Sequence, residues 1–533
     1  MNKLTMKGKV YLSMTCFLMV LESWISVTYT YHLAQILVSA QEYNADKTLE
    51  MVIKTIALLV GIFLVRVFVS ICRMKYLSDG EIKIKIGIMR GILKKTTHEF
   101  REKPEAYYMN LLTNDIDMYR GDFLSPLPFV FSSASAFLFS AIALHMLNPW
   151  LMLTGLFLAF LPLGINKLFV KLEAESKNRY SKEAEKHMAT MKETLEGFAA
   201  IRYDNNADVF LKRNMEAVKK KRYAQSYYAF IADISSETFY SFASLSNIIG
   251  LGVGAVLVLK GILNPLLMIA AQSYLVSLSN HVSNIGAYVT RILSTKEISQ
   301  KLEAEMTEEE QKVLSHSKED IHLIEYKNVS FGFNDRMLYK RFNCQLKEKG
   351  CYVIVGESGS GKSTLVKLLL KQYENYEGNI YIGEKDIREL TEQEICSYIS
   401  FVNQESYVFN ASLYENITMF SNHPEKDSAQ YEALLRSLNL QELAMRVGDA
   451  PLGDFGDNIS GGERQRICLA RMLRHHRPIV IFDEPTSGLD PENVRLINEF
   501  IFGYKDALRI VISHDWSKEY LNRFDEIIQI KNV

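Results

Sequence analysis

From Phe123 to Asn166 the chain runs 44 residues without one Asp, Glu, Lys or Arg. A membrane-crossing helix takes about 20 apolar residues, so this stretch holds two. Asn148-Pro149 in its middle supplies the turn between them. A bilayer core offers backbone groups no water, and unbroken apolar runs of this length satisfy them as helices. Two more uncharged stretches, 238–259 and 261–290, flank a tight connection from Lys260 to Pro265. A weaker pair precedes them: 10–40 is interrupted by Glu22, and 51–72 carries Lys54 and Arg66. The expectation is an all-α polytopic membrane domain with six spans, near 10–40, 51–72, 123–147, 149–170, 235–259 and 263–290.

Charge asymmetry orients these spans. Lys3, Lys7 and Lys9 precede the first, Arg73, Lys75, Lys83 and Lys85 follow the second, and Lys167, Lys171 and Lys177 follow the fourth. The loop 41–50 is acidic on balance. Positive residues favour the cytoplasmic side, so both termini are expected inside a multi-pass protein of the cell membrane. The long inside segments, 73–122 and 167–237, are charged, helix-favouring and nearly free of proline. They read as spans continuing into the cytoplasm, with independent helical hairpins as the alternative. The first apolar segment is too long for a cleaved signal peptide and is expected to stay. A net charge of −1 gives no whole-chain reason for a nucleic-acid partner. The six cysteines form no CxxC pair or Cys/His cluster, so no zinc or redox motif is read.

Charges inside a bilayer cost roughly 2.5–3.5 kcal/mol on insertion scales, which makes Glu22, Arg66 and Glu237 informative. With His281 in the last span, Glu22 and Glu237 are candidates for a cavity that takes a polar or cationic cargo. The competing reading pairs Glu22 with Arg66, puts Glu237 at the cytoplasmic rim and makes His281 an interhelical hydrogen bonder.

After Arg291 the chain turns polar, and strands alternate with helices. The expected division is a membrane domain over 1–300, a linker over 301–320 and an α/β nucleotide-binding domain over 321–533. The apolar strand Cys351–Val355 runs into Gly356, Glu357, Ser358, Gly359, Ser360, Gly361, Lys362, Ser363 and Thr364, then a helix. This is GxxxxGK[ST] in its strand–loop–helix setting. Glycines let backbone N–H groups curl around phosphate oxygens, and the helix N-terminus adds positive potential. Lys362 is then the counter-charge for the terminal phosphates of ATP, and the Ser363 hydroxyl a ligand for Mg²⁺. A second apolar strand, Ile479–Phe482, ends in Asp483 and Glu484. Asp483 suits Mg²⁺, directly or through water, and Glu484 suits orienting or deprotonating an attacking water.

The stretch Asn458–Arg466 reads NISGGERQR and resembles the signature of ATP-binding cassette (ABC) proteins. Neighbours agree in order: Gln404 resembles the Q-loop glutamine, Pro485–Asp490 the approach to the D-loop, and His514 the switch histidine. Phe333 lies where the family stacks an aromatic on adenine, and Gly453–Gly456 where exporters carry a short partner-sensing loop. With six spans ahead of the cassette, the chain resembles an ABC exporter half-transporter. The resemblance implies dimerisation with an identical or sister half-transporter. ATP would then lie between Gly356–Thr364 of one subunit and Ser460, Gly461 and Gly462 of the other. It makes Glu484, His514 and Gln404 the catalytic group, and Ser363, Gln404 and Asp483 the Mg²⁺ group. It also implies coupling tips, placed near 111–115 and 201–205. The cargo is a peptide, lipid or small amphipathic compound, with import of a metal chelate or a less active role in a heterodimer as alternatives. The compact chain suits a bacterial protein. Glu463 stands where the family has Gln, and Ile459 where it has Leu, which puts the hydrolysis rate in question but not the class.

Overall fold

The computed structural model describes residues 4–160, 166–307, 323–333, 336–403, 407–421, 429–474 and 476–530. Lys3, Gln404, positions 161–165 of the expected fourth span and most of the expected linker lie outside them. The chain forms two compact units. One comprises Met1–Lys95 with Phe100–Gln311, the other Thr96–Glu99 with Lys312–Val533.

The first unit is helical. Helix Met6–Gln41 starts at Thr5, whose hydroxyl accepts from Gly8 N–H and donates to Asp79 at 2.6 Å. A turn with Tyr43 in the left-handed region leads into the 50-residue helix Ala45–Lys94, capped by Asn44. Among the described residues, four helices are long and apolar enough to cross a membrane: Met6–Gln41, Ala45–Lys94, Glu105–Leu147 and Ala207–Leu259. Pro149–Phe160 is a shorter apolar helix. The sixth expected span falls on Leu267–Ser294, whose Gln272, Ser273, Ser277, Ser279, Asn280, His281 and Asn284 keep it out of that group.

Packing between these helices is local and specific. Leu275 fills the space that Gly155 and Gly250 leave; a Cβ on either would lie 2.9 Å from its methyls. Interhelical hydrogen bonds add to this close approach, from Tyr274 to the Val27 carbonyl at 3.0 Å and between Ser140 and Ser277 at 2.8 Å.

Deeper in the same unit, charges are buried in pairs. Asp115 is fully buried and meets Lys301 at 2.5 Å and the Ser181 hydroxyl at 2.7 Å. Lys177, 1% exposed, bonds Ser294 at 2.8 Å and pairs with Asp122 at 3.1 Å, which also accepts from Tyr228. Glu305 is held by Lys95 at 2.8 Å and Lys103 at 2.7 Å. Gly87 and Gly91 let the chain at Glu305–Met306 lie flat on helix Ala45–Lys94, since a Cβ on Gly91 would meet the Glu305 carbonyl at 1.9 Å.

These contacts correct one expectation. Leu111–Asp115 is a π-helical stretch with both ends buried, inside the helical run that continues to Leu147, and is no tip. The turn falls earlier, at the short helix Thr97–Arg101. The second expected tip falls on helix Phe198–Tyr203 and the turn after it, with Asn205 in the left-handed region.

The second unit is α/β. Its strands are β1 (Leu323–Phe333), β2 (Arg336–Lys347), β3 (Cys351–Gly356), β4 (Glu377–Ile382), β5 (Lys385–Asp386), β6 (Ile399–Val402), β7 (Ile479–Asp483), β8 (Leu508–Ile512) and β9 (Glu526–Ile530). An antiparallel sheet has the order β2-β1-β4-β5, and a parallel sheet the order β6-β7-β8-β3-β9. Every residue of β3, β7 and β8 is buried, which explains why they are apolar apart from Asp483 at the end of β7 and Arg509 in β8. Apolar residues on the two sides of these strands, Tyr352 and Ile354 against Val353 and Val355, feed separate cores.

Candidate nucleotide site

Strand order places the site. β7, β8 and β3 are neighbours and parallel, so their C-terminal ends emerge side by side. From β3 comes the glycine loop, from β7 come Asp483 and Glu484, and just beyond β8 stands His514. Backbone bonds tie the ends together: Glu484 N–H donates to Ile512 O at 3.1 Å, and Ser513 N–H to Ile354 O at 3.2 Å.

The loop has the shape its glycines permit. Gly359 and Gly361 have φ of 76° and 101°, which L side chains rarely adopt. Gly361 then caps helix Lys362–Leu369. Buried Tyr339 donates its hydroxyl to the Gly361 carbonyl and so holds the loop's end. No local motif marks Tyr339; only the folded sheet brings β2 beneath the loop.

Lys362 is 5% exposed and donates to the Gly356 and Glu357 carbonyls, both at 3.0 Å. Burial pushes its ammonium pKa down, against the pull of Glu484 and Asp483. Asp483 is equally buried, and burial pushes its carboxyl up, opposed by a hydrogen bond from Ser363 at 3.2 Å. Both groups thus gain from an anion and a cation arriving together. The buried Ser360 hydroxyl has no hydrogen-bond partner among the described residues, an orphan inside the loop that a phosphate oxygen would satisfy.

Glu484 and His514 meet at 2.7 Å between Oε1 and Nε2. Glu484 adopts φ of 49°, a left-handed backbone for a non-glycine residue. Such geometry is costly and turns the side chain out of the strand direction. Phe333 ends β1, is 44% exposed, and is braced edge-on by Phe331 and Tyr373 at 5.0 and 5.3 Å.

The signature forms the start of helix Gly461–Leu473. Ser460 is its N-cap in a reciprocal capping box with Glu463. Gly462 is required by contact, since a Cβ there would lie 2.6 Å from the Asn493 side chain. Asn493 is bonded in turn by Asp490 and Arg466.

The three candidate cargo residues are not brought together. Glu22 is ion-paired with Arg66 at 2.7 Å, the structural alternative stated above. Glu237 is exposed, His281 is half-buried, and among the described residues no hydrogen bond or ion pair joins any two of the three.

Comparison with known proteins agrees with this geometry. A family model described as ABC transporter transmembrane region matches residues 12–282, and one described as ABC transporter matches 339–487. The chain belongs to the ABC transporter family, a class of ATP-hydrolysing membrane transporters, and carries a transmembrane region and a cassette together. A probable ABC transporter ATP-binding/permease protein of Haemophilus influenzae is 25% identical over 81% of this chain and 79% of its own length. The lactococcin-G-processing and transport ATP-binding protein LagD of Lactococcus lactis is 29% identical over 70% of this chain. An ATP-dependent lipid A-core flippase of Francisella tularensis is 34% identical over 35% of this chain. The chain spans 54% of the length of LagD and 31% of the flippase. In fold, a bacterial Atm1-family ABC exporter solved with ATP bound aligns at a TM-score of 0.82, 17% identity, 98% of this chain and 93% of that one.

Proposed function

We propose that the protein is an ATP-driven exporter of an amphipathic peptide or lipid, working as a dimer of half-transporters in a bacterial membrane with its cassette in the cytoplasm. The observation that carries the ATPase reading is the convergence at the ends of β3, β7 and β8. There a glycine loop with buried Lys362, the Ser363–Asp483 pair and the Glu484–His514 pair share one edge. Export, with a peptide or lipid as cargo, is supported by the fold and by the cargoes that the names of the peptide and lipid transporters above state.

In this reading Phe333 stacks on adenine, and Gly356, Glu357, Ser358, Gly359, Ser360, Gly361, Lys362, Ser363 and Thr364 hold the phosphates. Ser363 and Asp483 would hold Mg²⁺, a hard cation that needs only one or two protein oxygens beside phosphates and water; bound there, it would neutralise phosphate charge. Glu484 positions and deprotonates the attacking water, and His514 orients Glu484 through their hydrogen bond. Ser460, Gly461 and Gly462 of a second subunit complete the site, the two glycines offering N–H groups that have no intrahelical partner. Gln404 joins the catalytic group by family resemblance.

By family resemblance, an inner turn of the helical segment would carry the coupling, and the turn at Thr97–Arg101 is the candidate. Thr96–Glu99 belongs to the second unit, where Thr97 donates its N–H and hydroxyl to the two Glu392 carboxylate oxygens at 2.9 and 2.6 Å. Helix Phe198–Tyr203 is the second coupling tip. Glu484→Gln in the full chain, reconstituted in lipid, is expected to bind ATP normally and to hydrolyse it about 10²- to 10⁴-fold more slowly. Hydrolysis near the wild-type rate would end the assignment of Glu484.

A further inference from the structure

The signature of this chain carries a negative charge in the first turn of the helix that is to receive phosphate. Glu463 is the third residue of helix Gly461–Leu473. One of its carboxylate oxygens accepts the Ser460 N–H at 2.7 Å, and its own N–H donates to the Ser460 hydroxyl at 3.2 Å. The carboxylate therefore sits at the N-terminus itself and favours an empty helix end, because it satisfies the dipole that an incoming phosphate would otherwise satisfy.

Its other oxygen is engaged by a residue from a different helix. Arg446, in the last turn of helix Gln441–Val447, donates to Glu463 Oε1 at 2.9 Å. The neighbouring signature cations make their hydrogen bonds elsewhere: Arg464 donates to the Gly456 carbonyl at 3.3 Å, and Arg466, which also feels the charge of Glu463, is bonded to Asn493. Glu463 is 12% exposed and Arg446 57%, so the carboxylate is fixed while the guanidinium reaches in from solvent. Burial pushes the Glu463 carboxyl up, but the Ser460 N–H and Arg446 outweigh it and hold it below the usual carboxylate range, so it is charged at neutral pH.

We infer that Arg446 is a positioning residue of the nucleotide site, neutralising Glu463 so that the signature helix can accept the terminal phosphate of ATP bound to the second subunit. The inference rests on the proposed ATPase reading and adds a residue outside every recognised motif. Arg446 touches no nucleotide; it acts through Glu463 and Ser460.

The test is a double-mutant cycle on the full chain in lipid, with ATP turnover and melting temperature read for each variant. Arg446→Ala is expected to raise the KM for ATP roughly two- to fivefold, the range of a partly exposed ion pair, at an unchanged melting temperature. Arg446→Lys keeps the charge and is expected to hold KM near the parent value. In a Glu463→Gln background, where a neutral amide can still cap Ser460, Arg446→Ala is expected to leave KM unmoved. An equal KM rise in both backgrounds, or no rise in either, overturns the inference and leaves the ATPase reading standing. Hydrolysis that persists in Glu484→Gln overturns the reading, and the inference with it.

Discussion

Both units of this protein bury charge, and they treat it differently. In the helical unit Asp115, Lys177 and Glu305 are satisfied from within, by Lys301, Asp122, and Lys95 with Lys103. In the cassette, among the described residues, Lys362 hydrogen-bonds only carbonyl oxygens, Asp483 has one neutral hydroxyl donor, and the Ser360 hydroxyl has no partner. Burying an ion costs several kcal/mol unless a partner offsets it. Asp115, Lys177 and Glu305 meet that cost with protein groups. The cassette leaves part of it unmet, and in the proposed function a magnesium–nucleotide would supply what is missing.

Substitutions can break or sharpen this contrast. The largest effect is expected from Asp115→Ala, which strands Lys301 and removes the bond to Ser181. Breaking a buried pair costs about 3 kcal/mol or more, and a clear fall in the melting temperature of the detergent-solubilised chain is expected. An unchanged melting temperature would show that the pair contributes no net stability.

Lys362→Met should do the opposite. An apolar chain of similar length relieves a buried ammonium whose hydrogen bonds here go to neutral carbonyls and whose pKa burial lowers, so stability is expected to hold or rise. ATP affinity should drop about tenfold or more, as for a lost charge-assisted hydrogen bond. If that variant melts as early as Asp115→Ala, the two units do not differ as described.

A smaller, pH-dependent effect belongs to the pair Asp386–Arg388 at 2.7 Å in the antiparallel sheet. Burial opposes ionisation there, but bonds from Arg388 and Asn379 outweigh it and lower the carboxyl from 3.8 to about 2. A depressed folded-state value means the contribution is full above the unfolded pKa and is lost as pH falls from about 4 toward 2. After discounting for the half-exposed guanidinium it is worth about 1–2 kcal/mol. Asp386→Asn should therefore melt earlier than the parent at neutral pH, with the gap narrowing in acid. A gap that stays constant with pH would remove the ionic explanation.

Much of the site was legible because its physics is local. A phosphate loop needs closely spaced glycines after a buried strand, so Gly356–Thr364 reads directly from its order. Asp483 and Glu484 read as strand-end acids for the same reason. The cargo residues were not legible, because a charged residue in an apolar run has the same sequence whether it faces a cavity or a partner. Glu22 turned out to face Arg66, 44 positions away. The first coupling tip was misplaced because Leu111–Asp115, polar enough for a turn, is buried against residues far along the chain.

The order of residues alone determined the class of the protein, its two-part composition and the strand–glycine loop–helix pattern of its candidate phosphate loop, since hydropathy runs and contiguous motifs depend on near neighbours. Only the tertiary structure decided that His514 meets Glu484, that Tyr339 holds the loop, that Arg446 covers Glu463 and that Lys301 neutralises Asp115. Each of those pairs joins groups from separate elements. Which separate elements meet depends on strand order and helix packing, which no short stretch of sequence encodes.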